Sequence, residues 1–145
     1  RDLHLSIRRQ RQMCIRDSWS IPLGRKFRGL KLWQVINYYG INGLREYIRE
    51  NVDYTQQLKT WIEANPDFEI VAPAPLNLVC FKHKNGNEFN QKLHEEINRS
   101  GKLYITRTKI NDEYILRFSI GQPTTTIEHV KNSWNLIVSM AKEIS

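Results

Sequence analysis

Leu32, Ile36 and Tyr39 stand three and four positions apart with Trp33 beside them, which predicts a helix from Gly29 to about Tyr39, ended by Gly40. A second stripe of Leu44, Tyr47, Ile48, Val52, Leu58, Trp61 and Ile62 predicts a helix from about Asn42 to Ala64, stopped by Asn65-Pro66. The spacing then changes. Phe68, Ile70 and Ala72 alternate as a strand does, and Pro73-Ala-Pro75 breaks the chain before a strand from Leu76 to Lys82. Phe89, Leu93 and Ile97 mark one face of a helix from about Asn87 to Arg99 that ends at Ser100-Gly101. Strands Leu103 to Lys109 and Glu113 to Ile120 follow, joined by a hairpin turn at Asn111-Asp112. Last, Thr125 with Glu128 three residues on reads as a capping box, and Ile127, Val130, Trp134, Ile137, Val138 and Ala141 form one helical stripe.

Two helices, two strands, a helix, two strands and a helix predict an α+β fold: a four-stranded, mainly antiparallel sheet covered by helices, with connecting helices before it. Both leading helices, Gly29 to Tyr39 and Asn42 to Ala64, are expected to expose apolar surface that would rest on a further domain.

At 145 residues and 40% hydrophobic content the chain is large enough for one modest core. Its apolar runs are too short for a membrane-spanning helix, and no segment has the order of a signal peptide, so a cytoplasmic protein without a membrane partner is expected. Cys14 and Cys80 imply no disulfide framework, and Cys80 is expected as a small buried hydrophobe. His4, His94 and His129 share no ligand spacing with a cysteine or acid, so no metal is expected. Asn98-Arg-Ser100 fits a glycosylation sequon without a secretory context.

The formal charge of +7 raises a polyanion as a partner. Its distribution argues against one: residues 1–18 carry five arginines against two aspartates, and the later basic residues are interspersed with acids. Residues 1–18 also lack sustained apolar periodicity. The string Arg9-Gln-Arg-Gln-Met-Cys-Ile-Arg-Asp-Ser18 looks like translated sequencing adapter, and the stretch is expected to be foreign. The alternative is a basic arm that binds a polyanion.

The segment Trp19-Ser-Ile-Pro-Leu-Gly-Arg-Lys-Phe-Arg-Gly-Leu-Lys-Leu-Trp33 is too idiosyncratic for helix or strand chemistry alone to explain. With Tyr39-Gly40, Gly43-Leu44, Tyr47-Ile48-Arg49, Phe68-Glu69-Ile70-Val71, Leu78-Val79-Cys80-Phe81, Ile97-Asn98, Ser100-Gly101 and Leu116-Arg117-Phe118-Ser119-Ile120, it resembles the C-terminal part of the group II pyridoxal-phosphate-dependent amino acid decarboxylases, the aromatic-L-amino-acid decarboxylase family. The resemblance covers about residues 19 to 145. It implies the small C-terminal domain of a fold-type-I enzyme, with residues 19–64 as connecting segment and helices and residues 65–145 as the α+β domain. It further implies pyridoxal 5'-phosphate as cofactor, an aromatic amino acid as substrate and a homodimer.

Such enzymes need a lysine that holds the cofactor as a Schiff base, a carboxylate near the pyridine nitrogen, a stacking ring and donors around the phosphate. In the family these lie upstream of the Trp19 segment, as does the mobile catalytic loop. The chain therefore reads as a fragment that neither holds the cofactor nor decarboxylates alone; His83-Lys84 is a coincidental match to the family's His-Lys pair.

Two substrate-binding positions carry over. Gly24 matches the place where aromatic decarboxylases have glycine and histidine decarboxylases serine; the absent Cβ gives room for a large ring, or only permits a turn after Pro22. Arg117 matches the arginine that often pairs with the substrate α-carboxylate in fold-type-I enzymes. Strand alternation puts it opposite Leu116, Phe118 and Ile120, so orientation of substrate and docking of the large domain are both open to it. Arg25, Lys26 and Arg28 resemble a phosphate cluster on a segment the family places at the subunit edge; related sequences mostly have arginine at Lys26.

Two other readings compete. One is a free-standing basic ferredoxin-like module that binds nucleic acid, although the sheet lacks an aromatic-glycine stacking motif. The other keeps the family but makes the substrate histidine or glutamate, or the product an aldehyde.

Overall fold

The computed structural model describes residues 28 to 144. Helix α1 spans Arg28–Glu63 and is interrupted at Gly40, whose φ of 67° and ψ of 167° fall in a region that only glycine enters freely. The predicted break between two helices is therefore present. Two compact units, residues 1–40 and residues 41–145, divide at the same glycine.

The larger unit holds β1 (Phe68–Ile70), β2 (Leu78–His83), α2 (Asn87–Arg99), β3 (Thr106–Ile110), β4 (Glu113–Ser119) and α3 (Ile127–Ile144). The strands form one sheet in the order β1-β2-β4-β3, every pair antiparallel. A hairpin-helix-hairpin-helix chain path of this kind is not the β-α-β-β-α-β path of a ferredoxin-like module, and that expectation is corrected.

Register assigns the two sheet faces. Phe68, Ile70, Val79, Phe81, His83, Tyr114, Leu116 and Phe118 point to one side. They meet Leu93 and Ile97 of α2, Val130, Trp134, Ile137 and Ala141 of α3, and Leu58 and Ile62 of α1 in a single core. Full burial of each large aliphatic or aromatic side chain contributes about 1.5–3 kcal/mol, so these residues dominate stability. In the second half of α1 the exposed apolar surface is confined to its start, because Leu58 and Ile62 are fully buried in the core. Ile41 and Ile48 earlier in that half are exposed. In the smaller unit Leu30, Leu32, Trp33, Val35, Ile36, Tyr38 and Tyr39 are all exposed, as expected for this helix.

Local chemistry moves three element boundaries. β3 begins at Thr106 rather than Leu103, because the Ile105 N–H donates to Asn98 Oδ1 at 2.9 Å and the Ile105 carbonyl accepts from Asn98 Nδ2 at 3.1 Å. β2 begins at Leu78, where pairing with β4 starts, and leaves Leu76 exposed. At the start of α3 the capping box is one residue later than predicted: the His129 N–H donates to Thr126 Oγ1 at 3.4 Å, and the Thr126 N–H donates to His129 Nδ1 at 3.2 Å. Thr125 spends its own N–H on the Gln122 carbonyl in the preceding turn. The predicted Asn111-Asp112 hairpin forms, with φ of 51° and 62° at the two turn residues and Ile110 paired to Glu113.

Candidate functional site

The helices cover one face of the sheet; the opposite face carries Glu69, Cys80, Lys82, Glu113 and Arg117, with Ile115 fully buried among them. Cys80 on β2, Arg117 on β4 and Thr106 on β3 lie in one row across three strands. Arg117 is thus flanked by two small side chains and half-buried, and its guanidinium makes no ion pair or hydrogen bond among the described residues. Its neighbours in sequence, Leu116 and Phe118, are buried on the core side. Arg117 therefore stands on the open face, as strand alternation predicts.

Cys80 corrects its own expectation. It is half-exposed beside Arg117, because Val79 and Phe81 take the core side of β2.

Lys82 lies two residues along the same face. Its ammonium reaches Glu69 on β1 at 2.9 Å and also Glu113 on β4, tying three strands together. The hydrogen bond to Glu113, then that to Glu69, raises the Lys82 pKa above the ordinary lysine value, with loss of solvation opposing. The cluster of one cation and two carboxylates carries a net charge of −1, and Arg117 stands on the same face without an ion-pair partner among the described residues. Such a guanidinium can receive a carboxylate in bidentate fashion.

Other candidate groups are committed elsewhere. His83 points into the core, with its ring edge-on to Phe68 at 4.8 Å and tilted on Phe89 at 4.3 Å. Lys84 donates to the Pro66 carbonyl at an exposed strand end. His94 lies 3.1 Å from the Tyr114 hydroxyl and 3.2 Å from the Ile105 carbonyl, and burial raises the Tyr114 pKa against the opposing charge of Arg107. Asn98 uses its side-chain amide as the Ile105 clamp. No cluster of metal-ligating residues occurs among the described residues. Gly24, Arg25, Lys26, His4 and Cys14 lie outside the described residues, and the side chain of Arg28 does as well.

Neither Lys82 nor the cavity beside Lys102 and His129 fits pyridoxal phosphate. The Lys82 amine is held protonated between two carboxylates, the reverse of what a Schiff-base nucleophile requires. The cavity of about 680 Å³ beside Lys102, Tyr104, Gln122 and His129 has no carboxylate in its walls to meet a pyridine nitrogen.

Sequence reasoning missed the Lys82–Glu69–Glu113 cluster. Glu69 sits between Phe68 and Ile70, and Lys82 two places from Cys80, so alternation marks both for the open face; only the register brings Glu113 to them.

The model of the pyridoxal-dependent decarboxylase conserved domain matches residues 12–84. The chain belongs to this family. Over 126 residues it is 37% identical to the aromatic-L-amino-acid decarboxylase of Mus musculus, covering 87% of this chain and 26% of that protein. It is 40% identical over 126 residues to a phenylacetaldehyde synthase of Arabidopsis thaliana, covering 82% and 26%. In structure it is similar to the tryptophan decarboxylase of Catharanthus roseus in complex with L-tryptophan, with a TM-score of 0.81 and 35% identity over 88% of this chain and 28% of that one. The chain spans about a quarter of the length of the relatives it matches. Within the family's fold, the α+β architecture read from the sequence is the observed one, and the nucleic-acid module has no support.

Proposed function

We propose that the chain is the C-terminal part of a cytoplasmic, homodimeric, pyridoxal-phosphate-dependent carboxy-lyase that acts on an aromatic L-amino acid. The observation that carries this reading is 35–40% identity to aromatic decarboxylases and an aldehyde synthase across more than four-fifths of the chain. Residues 65–145 serve as the small domain and residues 19–64 connect it to the cofactor-bearing region, with the second half of the connection packed on the small domain's core. The open sheet face turns toward that region. The cofactor, when bound there, supplies the electron sink for loss of carbon dioxide.

The residues of this chain do binding work. Arg117 orients the substrate or docks the large domain through a carboxylate, and Gly24 leaves room for an aromatic ring near the subunit edge. Because a decarboxylase gains nothing by holding the ground-state carboxylate more tightly than the transition state, any contact of Arg117 with substrate serves orientation rather than tight binding, and docking of the large domain is the other role open to it. The chain by itself neither binds the cofactor nor decarboxylates.

The identity to the phenylacetaldehyde synthase supports a second outcome on the same scaffold, an aldehyde product. The test is to express the intact reading frame with pyridoxal phosphate and to supply dopa, tyrosine, tryptophan, histidine and glutamate in turn. Carbon dioxide released from an aromatic substrate is expected, with the organic product identified as amine or aldehyde. Release only from glutamate or histidine, or from none, would overturn the proposal.

A further inference from the structure

His83 sits where β1, the end of β2 and the start of α2 meet. Its side chain is nearly sealed, 5% exposed, between the Phe68 and Phe89 rings. Nδ1 accepts the Asn85 N–H at 3.2 Å, so the nitrogen that faces the β2–α2 turn carries a lone pair. Next to it the Lys84 N–H donates to the Asp67 carbonyl at 2.9 Å, and at the far end of β1 the Val71 N–H donates to the Cys80 carbonyl at 2.9 Å. Strand β1 is an edge strand of three residues, so few bonds hold this corner.

We propose that His83 is an acid-sensitive latch: neutral, it keeps the β1 edge and the β2–α2 turn closed, and protonated, it releases them while the α2–α3 side of the core stays folded.

Protonation turns Nδ1 into a donor that faces another donor, and it places a charge inside an apolar slot. The Phe89 face returns part of that cost as a cation–π contact. The charged groups around the ring divide. Asp67, ahead of β1, favours the cation, whereas Lys142 on α3 lines the same cavity and Lys84 on the turn flanks it, and both oppose it. Glu69, Lys82 and Glu113 line the cavity on the other side and are engaged with one another. Loss of solvation outweighs Asp67 and holds the ring below the ordinary histidine value. The sign follows: an unfolded histidine titrates near about 6.5, so the stabilisation is complete above that pH and is lost as pH falls toward the lower folded value.

Hydrogen exchange on the full chain tests the latch, read as protection factors at the Lys84 and Val71 amides at about pH 7.5 and about pH 5. Protection at these amides is expected to drop in acid, while amides from Leu93 to Ile97 keep theirs. In His83→Leu the corner's protection should no longer depend on pH; His83→Gln, which retains an acceptor for Asn85, serves if the leucine chain does not fold. An NMR titration of the wild-type ring gives an independent reading. An unchanged acid response in a folded variant, or a ring that titrates at or above about 6.5 over a corner that stays protected, would overturn the proposal.

Discussion

Asn90 closes both backbone hydrogen bonds of His83. Its Oδ1 accepts the His83 N–H at 2.8 Å, and its Nδ2 donates to the His83 carbonyl at 2.8 Å and to the Gly86 carbonyl at 2.8 Å. A side-chain amide thus does for the end of β2 what a neighbouring strand does elsewhere in the sheet. Asn87 does the same for the hairpin, accepting from the Tyr114 N–H at 2.7 Å and donating to the Asp112 carbonyl at 2.9 Å. With the Asn98–Ile105 pair, three asparagines on one side of α2 pin the helix across the sheet.

Asn90→Ala should therefore destabilise the chain by about 2–4 kcal/mol, since it strands a buried N–H and carbonyl as well as losing the bonds. Asn90→Asp should be no better: it keeps the acceptor for His83 but sets a carboxylate against two carbonyl oxygens. Urea unfolding of the three chains, followed by circular dichroism, measures this. A loss below about 0.5 kcal/mol for Asn90→Ala would mean that the clamp contributes nothing.

The hairpin offers the opposite sign. Asn111 and Asp112 both have positive φ, which asparagine tolerates better than most residues and glycine tolerates without strain. Asp112→Gly should raise stability by about 0.5–1 kcal/mol, because the carbonyl that Asn87 contacts belongs to the backbone and survives the exchange. Asp112→Val should cost more than that. The order of the thermal midpoints, glycine above wild type above valine, is the result to check.

Lys82 predicts an alkaline effect. Its folded pKa is raised, so its contribution is fully present below the unfolded value of about 10.5 and is lost as pH climbs through the higher folded value. Both glutamates are nearly half exposed, so the cluster contributes about 0.5–1 kcal/mol at neutral pH. Lys82→Met should lose that amount at pH 7, and its stability should fall less than that of wild type above about pH 10. Identical alkaline profiles for the two chains would refute the assignment.

What the sequence showed depended on how far each signal reaches. Helix stripes and the two-residue period of strands are local, so every element was legible. The face of Cys80 was misread because Leu78-Val79-Cys80-Phe81 is four apolar residues with no polar one to mark the phase; Lys82, two places on, held the answer. Three consecutive threonines, Thr124 to Thr126, all suit an N-cap, and Glu128 selected the wrong one. Burial of Val130, Trp134, Ile137 and Ala141 sets the phase of α3 instead. The asparagine clamps were invisible for another reason: their partners lie 7 to 27 residues away, which no local pattern encodes. Arg117 was legible because it is a single charge inside an alternating run.

Arg117 separates stability from function. Its guanidinium has no partner among the described residues, so Arg117→Leu should change the stability of this chain by less than about 0.5 kcal/mol. In the intact enzyme the same exchange should raise KM for the amino acid about tenfold or more if the arginine meets the substrate carboxylate, with Arg117→Lys recovering only part because a point charge replaces a fork. If it serves docking, kcat and KM should shift together and the loss should extend to substrate analogues that lack the carboxylate. Steady-state kinetics of the three enzymes on substrate and analogue tell the two roles apart. Wild-type kinetics in both variants would remove Arg117 from the site altogether.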